Sequence, residues 1–307
     1  MNTDTILFSI VIPTYNYGHV LARAVESALL QEGDDYEVIV MDDGSTDDTP
    51  AVVSMLAVRF PQRLRTIRQH NQGAAAVRNR GVEEARGEYL IFLDADDRLL
   101  PGALRKFRHF LTDNGQFGMV FAGHRSIHPD GRIKVHPAKA IGNDRLKNFL
   151  GYIRKDFGIS NGATIMARDV FTKIRYPEQL RNSEDIPVFA QILACYPCGS
   201  FPDPVLDIFK HDDSLRNNTS LIMKTGTQVV DILFDPDVLP SDFMKFRDEM
   251  YARQSLSLFR SLYLAGRYAE ARSHFHRAVR VSSGVILQWS FLSKYLRSFL
   301  KECKLKI

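Results

Sequence analysis

Residues 89–97, Tyr-Leu-Ile-Phe-Leu-Asp-Ala-Asp-Asp, pass from five apolar or aromatic side chains into a cluster of three carboxylates. Such a run suits a strand buried on both faces, one that delivers acid to its own tip. While the chain stays extended, Asp94 and Asp96 point the same way and can share one ligand. Two hard oxygen donors with open coordination positions suit Mg²⁺ or Mn²⁺, completed by water and substrate phosphate rather than enclosed by protein. The alternative is a solvated acidic turn, since turns favour Asp.

The elements upstream give that tip its setting. Phe8–Ile12 and Tyr36–Met41 read as strands, and His19–Gln31 between them carries Val20, Ala24, Ala28 and Leu29 at helical spacing. A second helix follows over Thr49–Phe60, with Ser45, Thr46 or Asp47 as its cap, then a short strand at Leu64–Arg68 and a third helix at Ala74–Ala85. The alternation implies a parallel sheet covered by helices, whose ligands collect beyond the carboxyl ends of the strands. The chain sets its unusual polar clusters at those ends: Pro13-Thr-Tyr-Asn16, Asp42-Asp43-Gly44-Ser45 and Asp94-Ala-Asp-Asp97.

Further on, strands are expected at Phe117–Gly123 and Gly162–Met166, and helices at Arg145–Tyr152 and from Asn182 to about Cys195, with Pro187 tolerated in the first turn. From Ser241 the pattern is wholly helical. Arg253–Leu264 and Tyr268–Val279 read as a hairpin similar to one tetratricopeptide unit, which must pack on something else to bury its face. Gly284–Leu300 forms an amphipathic helix, with Lys294, Arg297, Lys301, Lys304 and Lys306 adding positive charge. It suits either a membrane interface with anionic headgroups or packing on the hairpin before it.

The chain has 307 residues, 45% hydrophobic and 25% charged, which is ordinary for a folded protein with a substantial core. No apolar run reaches about 18 residues, and Met1-Asn-Thr-Asp-Thr lacks the features of a signal peptide, so a cytoplasmic protein is expected, peripheral on the inner membrane if the tail binds lipid. Cys195, Cys198 and Cys303 fit a reducing compartment, and Cys195-Tyr-Pro-Cys198 has no second pair to make a zinc site, so it is read as packing. Residues 241–307 hold 13 Lys/Arg against 5 Asp/Glu, leaving 27 against 31 in residues 1–240. An acidic body argues against nucleic-acid binding across the main domain.

In order, Ser9-Ile-Val-Ile-Pro-Thr-Tyr-Asn16, Met41-Asp-Asp-Gly-Ser-Thr46, Asn71-Gln-Gly73 with Arg78-Asn79, Phe92-Leu-Asp-Ala-Asp-Asp97 and Glu184-Asp185 resemble the motifs of family 2 glycosyltransferases. The resemblance implies a GT-A fold over roughly residues 8–220: a Rossmann-like, mostly parallel sheet flanked by helices. The expected division is a domain at 1–220, with a nucleotide-sugar half at about 1–123 and an acceptor half at about 124–220, followed by a helical region at 221–307. It also implies an inverting, metal-dependent transfer from a nucleotide-sugar, usually a UDP-sugar, to a glycan or lipid-linked acceptor, as in cell-envelope polysaccharide synthesis. By the same resemblance Pro13, Tyr15 and Asn16 hold the nucleotide, with Tyr15 on the base, and Asp43 accepts the uracil N3 hydrogen. Arg78 lies near the nucleotide, the alternative being a pair with Glu83 or Glu84 on its own helix. Asp94 faces the ribose, Asp96 ligates the metal with Asp97 as support, and His211 reaches the metal or diphosphate, an exposed structural histidine being its alternative. Asp185 is the base and Glu184 orients the acceptor, with Ser183 as cap placing both in the first turn of a helix. A different class of function is a GT-A domain turned into an inactive nucleotide-sugar-binding or assembly subunit of a membrane complex. A nucleotidyltransferase is disfavoured because the first strand leads to Pro-Thr-Tyr-Asn rather than a Gly-rich phosphate loop.

Overall fold

The computed structural model describes residues 6–211, 225–282, 284 and 289–304. It divides into two compact units. One takes the described residues up to Glu178 together with Val188–His211; the other takes Gln179–Pro187 together with the described residues from Thr225 onward.

In the first unit, β1 (Phe8–Thr14), β2 (Tyr36–Asp42), β3 (Leu64–Arg68) and β4 (Tyr89–Phe92) lie parallel in the order β3-β2-β1-β4. The helices α1 (Gly18–Leu29), α2 (Thr49–Arg59) and α3 (Ala74–Glu84) connect them. All of β2 and β4 is buried, and all of β1 except the half-buried Pro13, as befits strands covered on both faces. α1 sets Leu21, Ala24, Val25 and Ala28 into one core with Ile10, Ile12, Val38 and Val40. α3 lies so close to β1 that a Cβ on Gly81 would stand 2.6 Å from Val11 Cγ1, which is why the helix carries glycine there.

The later strands make the sheet mixed rather than parallel throughout. They are β5 (Arg98–Leu99), β6 (Met119–Ile127), β7 (Ile133–His136), β8 (Thr164–Ala167) and β9 (Cys198–Phe209). β8 sits antiparallel between β4 and β6, β9 runs parallel to β6, β5 pairs antiparallel with β9, and β7 forms a hairpin with β6. The helices α4 (Ala103–Asn114), α5 (Arg145–Ile153) and α6 (Asp185–Cys195) complete the order. The strand expected at Gly162–Met166 begins at Thr164, after a 3-10 turn at Asn161–Ala163. Cys198 is packed: burial pushes its thiol up to about 12.

The second unit holds α7 (Gln228–Leu233), α8 (Ser241–Met244), α9 (Arg247–Leu264), α10 (Tyr268–Val281) and α11 (Trp289–Lys304). The expected hairpin is α9 and α10, and Leu256, Phe259, Leu262, Ala271, Phe275 and Ala278 form its core. α11 adds Phe291, Leu292 and Tyr295 to that core, with the Tyr295 ring 4.5 Å from Phe275. Packing on the hairpin thus accounts for one face of α11. Its other face presents Trp289, Leu296 and Leu300, which are 71%, 52% and 69% exposed. Asp212–Ser214, Val285–Gln288, Lys306 and the side chains of Cys303 and Lys304 lie outside the described residues. Among the described residues no helix is long and apolar enough to cross a membrane.

Candidate active site

At the end of β1 the chain turns through Asn16, whose φ of +58° lies in the left-handed region that Asn tolerates. Asn16 Oδ1 accepts from the Thr46 amide at 2.8 Å, and the Asn16 amide donates to Ser45 Oγ at 2.9 Å. Asp47 accepts from the amides of Gly18 (3.2 Å) and Thr49 (3.0 Å), so it secures the starts of both α1 and α2. The two loops hold each other through short polar side chains. Tyr15 is left 43% exposed, which removes core packing as its explanation.

At the end of β2 both carboxylates are buried. Asp42 accepts from the Ser45 amide at 2.9 Å and meets Arg68 at 3.3 Å. Asp43 accepts from Gln69 Nε2 (2.9 Å) and from the amides of Gln72 (3.0 Å) and Gly73 (2.8 Å). An ionised carboxylate offers about four acceptor positions, so Asp43 both shapes the loop that opens α3 and keeps capacity for one more donor. Beside it, Gly44, Arg68, Gln69, His70 and Asn71 line a cavity of about 470 Å³. Gly44 has φ +78°, and a Cβ there would stand 3.0 Å from the Asn71 amide nitrogen and from the Gln69 carbonyl oxygen.

The acid tip departs from the extended geometry expected of it. β4 ends at Phe92, and the chain folds back so that the Asp97 amide donates to the Asp94 carbonyl at 3.0 Å. Alternation therefore stops before the carboxylates, and Asp94 and Asp96 meet different partners. Arg78 of α3 donates to Asp94 Oδ1 at 3.0 Å, while Glu83 pairs with Arg175 and Glu84 with Arg65. These contacts put Arg78 at the strand tips instead of in a pair along its own helix. Asp96 Oδ2 lies 2.7 Å from His211 Nε2, two residues beyond the end of β9. Asp97 is buried, and its carboxylate accepts from the Phe209 amide at 3.2 Å. Burial first, then the charges of Asp94 and Asp96, push its pKa well above the usual carboxylate range.

Asp96 and His211 supply one hard oxygen and one imidazole nitrogen at adjacent positions. Among the described residues no third Asp, Glu, His or Cys completes a cluster. A two-donor set fits Mg²⁺ or Mn²⁺, which takes one or two protein ligands and fills its remaining positions with water and phosphate oxygens.

Two residues that the sequence did not single out stand beside this tip. Arg23 of α1 donates through Nη2 to the Asp96 carbonyl, and its guanidinium lies 3.6 Å from the centre of the Phe209 ring. Asp207 of β9, 0% exposed, takes Arg125 at 2.6 Å and Arg98 at 3.1 Å. Although burial opposes it, these bonds hold its pKa below the ordinary value. Neither residue belongs to a motif, so only the fold reveals them.

Asp185 and Glu184 belong to the helical unit. α6 opens at Asp185, with the Ile186 amide donating to the Ser183 carbonyl at 3.2 Å. Glu184 therefore precedes the first turn instead of lying in it, and only Asp185 has the helix-dipole placement that favours an ionised carboxylate.

A model of glycosyl transferase family 2 matches residues 9–175. The succinoglycan biosynthesis protein ExoO of Rhizobium meliloti is 41% identical over 197 residues, 60% of this chain and 55% of that protein. The chain thus spans about half that relative's length, and the matches to uncharacterised glycosyltransferases from Rickettsia felis and Nostoc cover 30% and 35% of theirs. Among solved structures, Staphylococcus aureus TarS 1–349 in complex with UDP-GlcNAc superposes with a TM-score of 0.68 at 19% identity, over 95% of this chain and 89% of that one. A mannosyltransferase of Pyrobaculum calidifontis in complex with GDP-Man and Mn²⁺ gives 0.57 at 18% identity, over 96% and 84%. At such identities these likenesses speak to the fold.

Proposed function

The chain belongs to glycosyltransferase family 2, and from that premise we propose that it is an inverting enzyme transferring a sugar from a UDP-sugar to a hydroxyl of a glycan or lipid-linked acceptor in cell-envelope polysaccharide assembly. The observation that carries this reading is the gathering of Asp43, the Arg78–Asp94 pair and the Asp96–His211 pair at the carboxyl ends of β2 and β4, where open α/β sheets hold ligands. Tyr15 offers an exposed ring to the base, next to the loops that Pro13 and Asn16 shape. Asp43 gives its remaining acceptor capacity to uracil N3–H, a donor that cytosine lacks. Arg78 orients Asp94 for the ribose hydroxyls.

Asp96 and His211 would hold a divalent ion, which supplies neutralising charge to the departing diphosphate. Asp185 takes the proton of the acceptor hydroxyl as that oxygen bonds to the anomeric carbon. The bond from that carbon to the phosphate oxygen breaks in the same displacement, and its electron pair leaves with the nucleoside diphosphate. Glu184 orients the acceptor. The ExoO relative supports a polysaccharide product. The two solved complexes support nucleotide-sugar and divalent-ion use.

The test is turnover of a UDP-sugar panel with Mn²⁺ by wild type, Asp185→Asn and Asp96→Asn. Loss of the base should lower kcat by about 10²–10⁴-fold with UDP affinity retained. Wild type that binds UDP but turns over no donor would replace this reading with that of a nucleotide-sugar-binding assembly subunit.

The exposed stripe of α11 supports peripheral attachment to an anionic membrane surface. Trp289, Leu296 and Leu300 share a face by their spacing, and Arg297 flanks it. Trp289 is the only tryptophan, so its emission should shift to the blue with vesicles containing anionic lipid and stay unchanged with neutral ones. No shift with either would end the membrane proposal.

A further inference from the structure

The contacts around the acid tip close into a ring. α1 reaches the backbone of the turn through the Arg23 guanidinium and the Asp96 carbonyl. The same guanidinium lies over the ring of Phe209, the last residue of β9. The Phe209 amide returns to the turn by donating to Asp97. Two residues on, His211 meets the Asp96 carboxylate. Arg23 thus touches both the turn bearing Asp96 and the strand end bearing His211.

A guanidinium is suited to this double duty, because its plane stacks on an aromatic face while its edge donates. Arg23 Nε is buried with no hydrogen-bond partner among the described residues. Arg23 as a whole is only half-buried, and its place is explained by what the bond to Asp96 and the contact with Phe209 hold together.

We propose that Arg23 is a positioning residue, fixing Asp96 and His211 as a pair of donors for a divalent cation that accompanies the nucleoside diphosphate. The inference rests on the metal-dependent reading above. In this role Arg23 acts through the backbone of Asp96 and the ring of Phe209. Residues standing behind a metal ligand in this way typically change metal affinity when replaced.

The experiment measures Mn²⁺ binding to the full chain by electron paramagnetic resonance at saturating UDP, and UDP binding in EDTA by calorimetry. Arg23→Gln should weaken Mn²⁺ binding about 10- to 100-fold while metal-free UDP affinity stays within about twofold. Phe209→Leu, which keeps Arg23 but removes the aromatic face, should move both readings in the same direction by less. It also serves as the test if Arg23→Gln does not fold. Arg23→Gln combined with His211→Ala should bind Mn²⁺ no worse than His211→Ala alone, the non-additivity expected of residues acting through one pair. Wild-type affinity for Mn²⁺ in the variants, or equal loss of metal-free UDP binding, overturns the inference while leaving the proposed activity standing. Wild type that binds UDP but never Mn²⁺ overturns the metal-dependent reading and this inference with it.

Discussion

The two halves of the sheet secure their ends with different chemistry. In the parallel half, β1–β4, short side chains bond to backbone amides: Asn16 to Thr46, Asp42 to Ser45, Asp47 to Gly18 and Thr49, and Asp43 to Gln72 and Gly73. In the mixed half, one wholly buried carboxylate, Asp207 on β9, gathers Arg98 from β5 and Arg125 from β6. The first arrangement fixes loops and leaves the Tyr15 ring exposed. The second fixes strands to one another. Backbone-directed bonding builds a site, whereas the ion-pair cluster builds a frame.

The largest effect expected from breaking this contrast lies in the frame. Asp207→Ala leaves two guanidiniums without their shared partner and should cost about 3–5 kcal/mol of stability, read by urea unfolding, with UDP affinity of the folded protein unchanged. A fall in affinity without a fall in stability would move Asp207 into the site. Next comes Asp43→Asn, which sets an NH₂ against amides that also donate. It should weaken UDP binding by about 1.5–3 kcal/mol, the range for a hydrogen bond to a charged group, measured by calorimetry. If stability drops and affinity does not, Asp43 belongs with the frame.

The smallest effect tests whether buried polar groups behave alike in the helical unit. His274 is buried, its Nδ1 has no hydrogen-bond partner among the described residues, and burial, then Arg277, lowers its pKa from 6.5. The unfolded chain then binds more protons than the folded one as pH falls below 6.5. The contribution of neutral His274 is therefore intact above that value and lost as pH descends through the folded pKa. Unfolding at pH 7.5 and 5.5 should show wild type losing more stability on acidification than His274→Gln. Equal losses would assign the acid sensitivity to other groups.

Much of the parallel half was legible because its strands are continuous apolar runs and its polar motifs stand where those runs stop. Boundaries there moved by a few residues. The mixed half was harder for identifiable reasons. β9 passes through Pro202 and Pro204, which argue against a strand, and the sheet admits them by shifting register against β6 around Gly123. α4 carries Arg105, Lys106, Arg108 and His109 among Leu104, Phe107 and Phe110, so its apolar stripe is narrow. At the site, residue types pointed to the right strand ends but not to the partners. Alternation could not foresee the turn after Leu93, and nothing local marks Arg23, whose importance comes from a ring some 186 positions away in the chain.

β4 is the seam where parallel pairing gives way to antiparallel, and its neighbour on that side is β8. On a ribosome adding about 5–20 residues per second, the stretch from Phe92 to Ala167 takes roughly 4–15 s to emerge. Throughout that interval β1–β4 can assemble while one long-lived edge of unpaired amides and carbonyls faces the cell. The order in which this sheet is written thus sets a window of vulnerability during synthesis, and the parallel half must wait through it before its neighbour arrives.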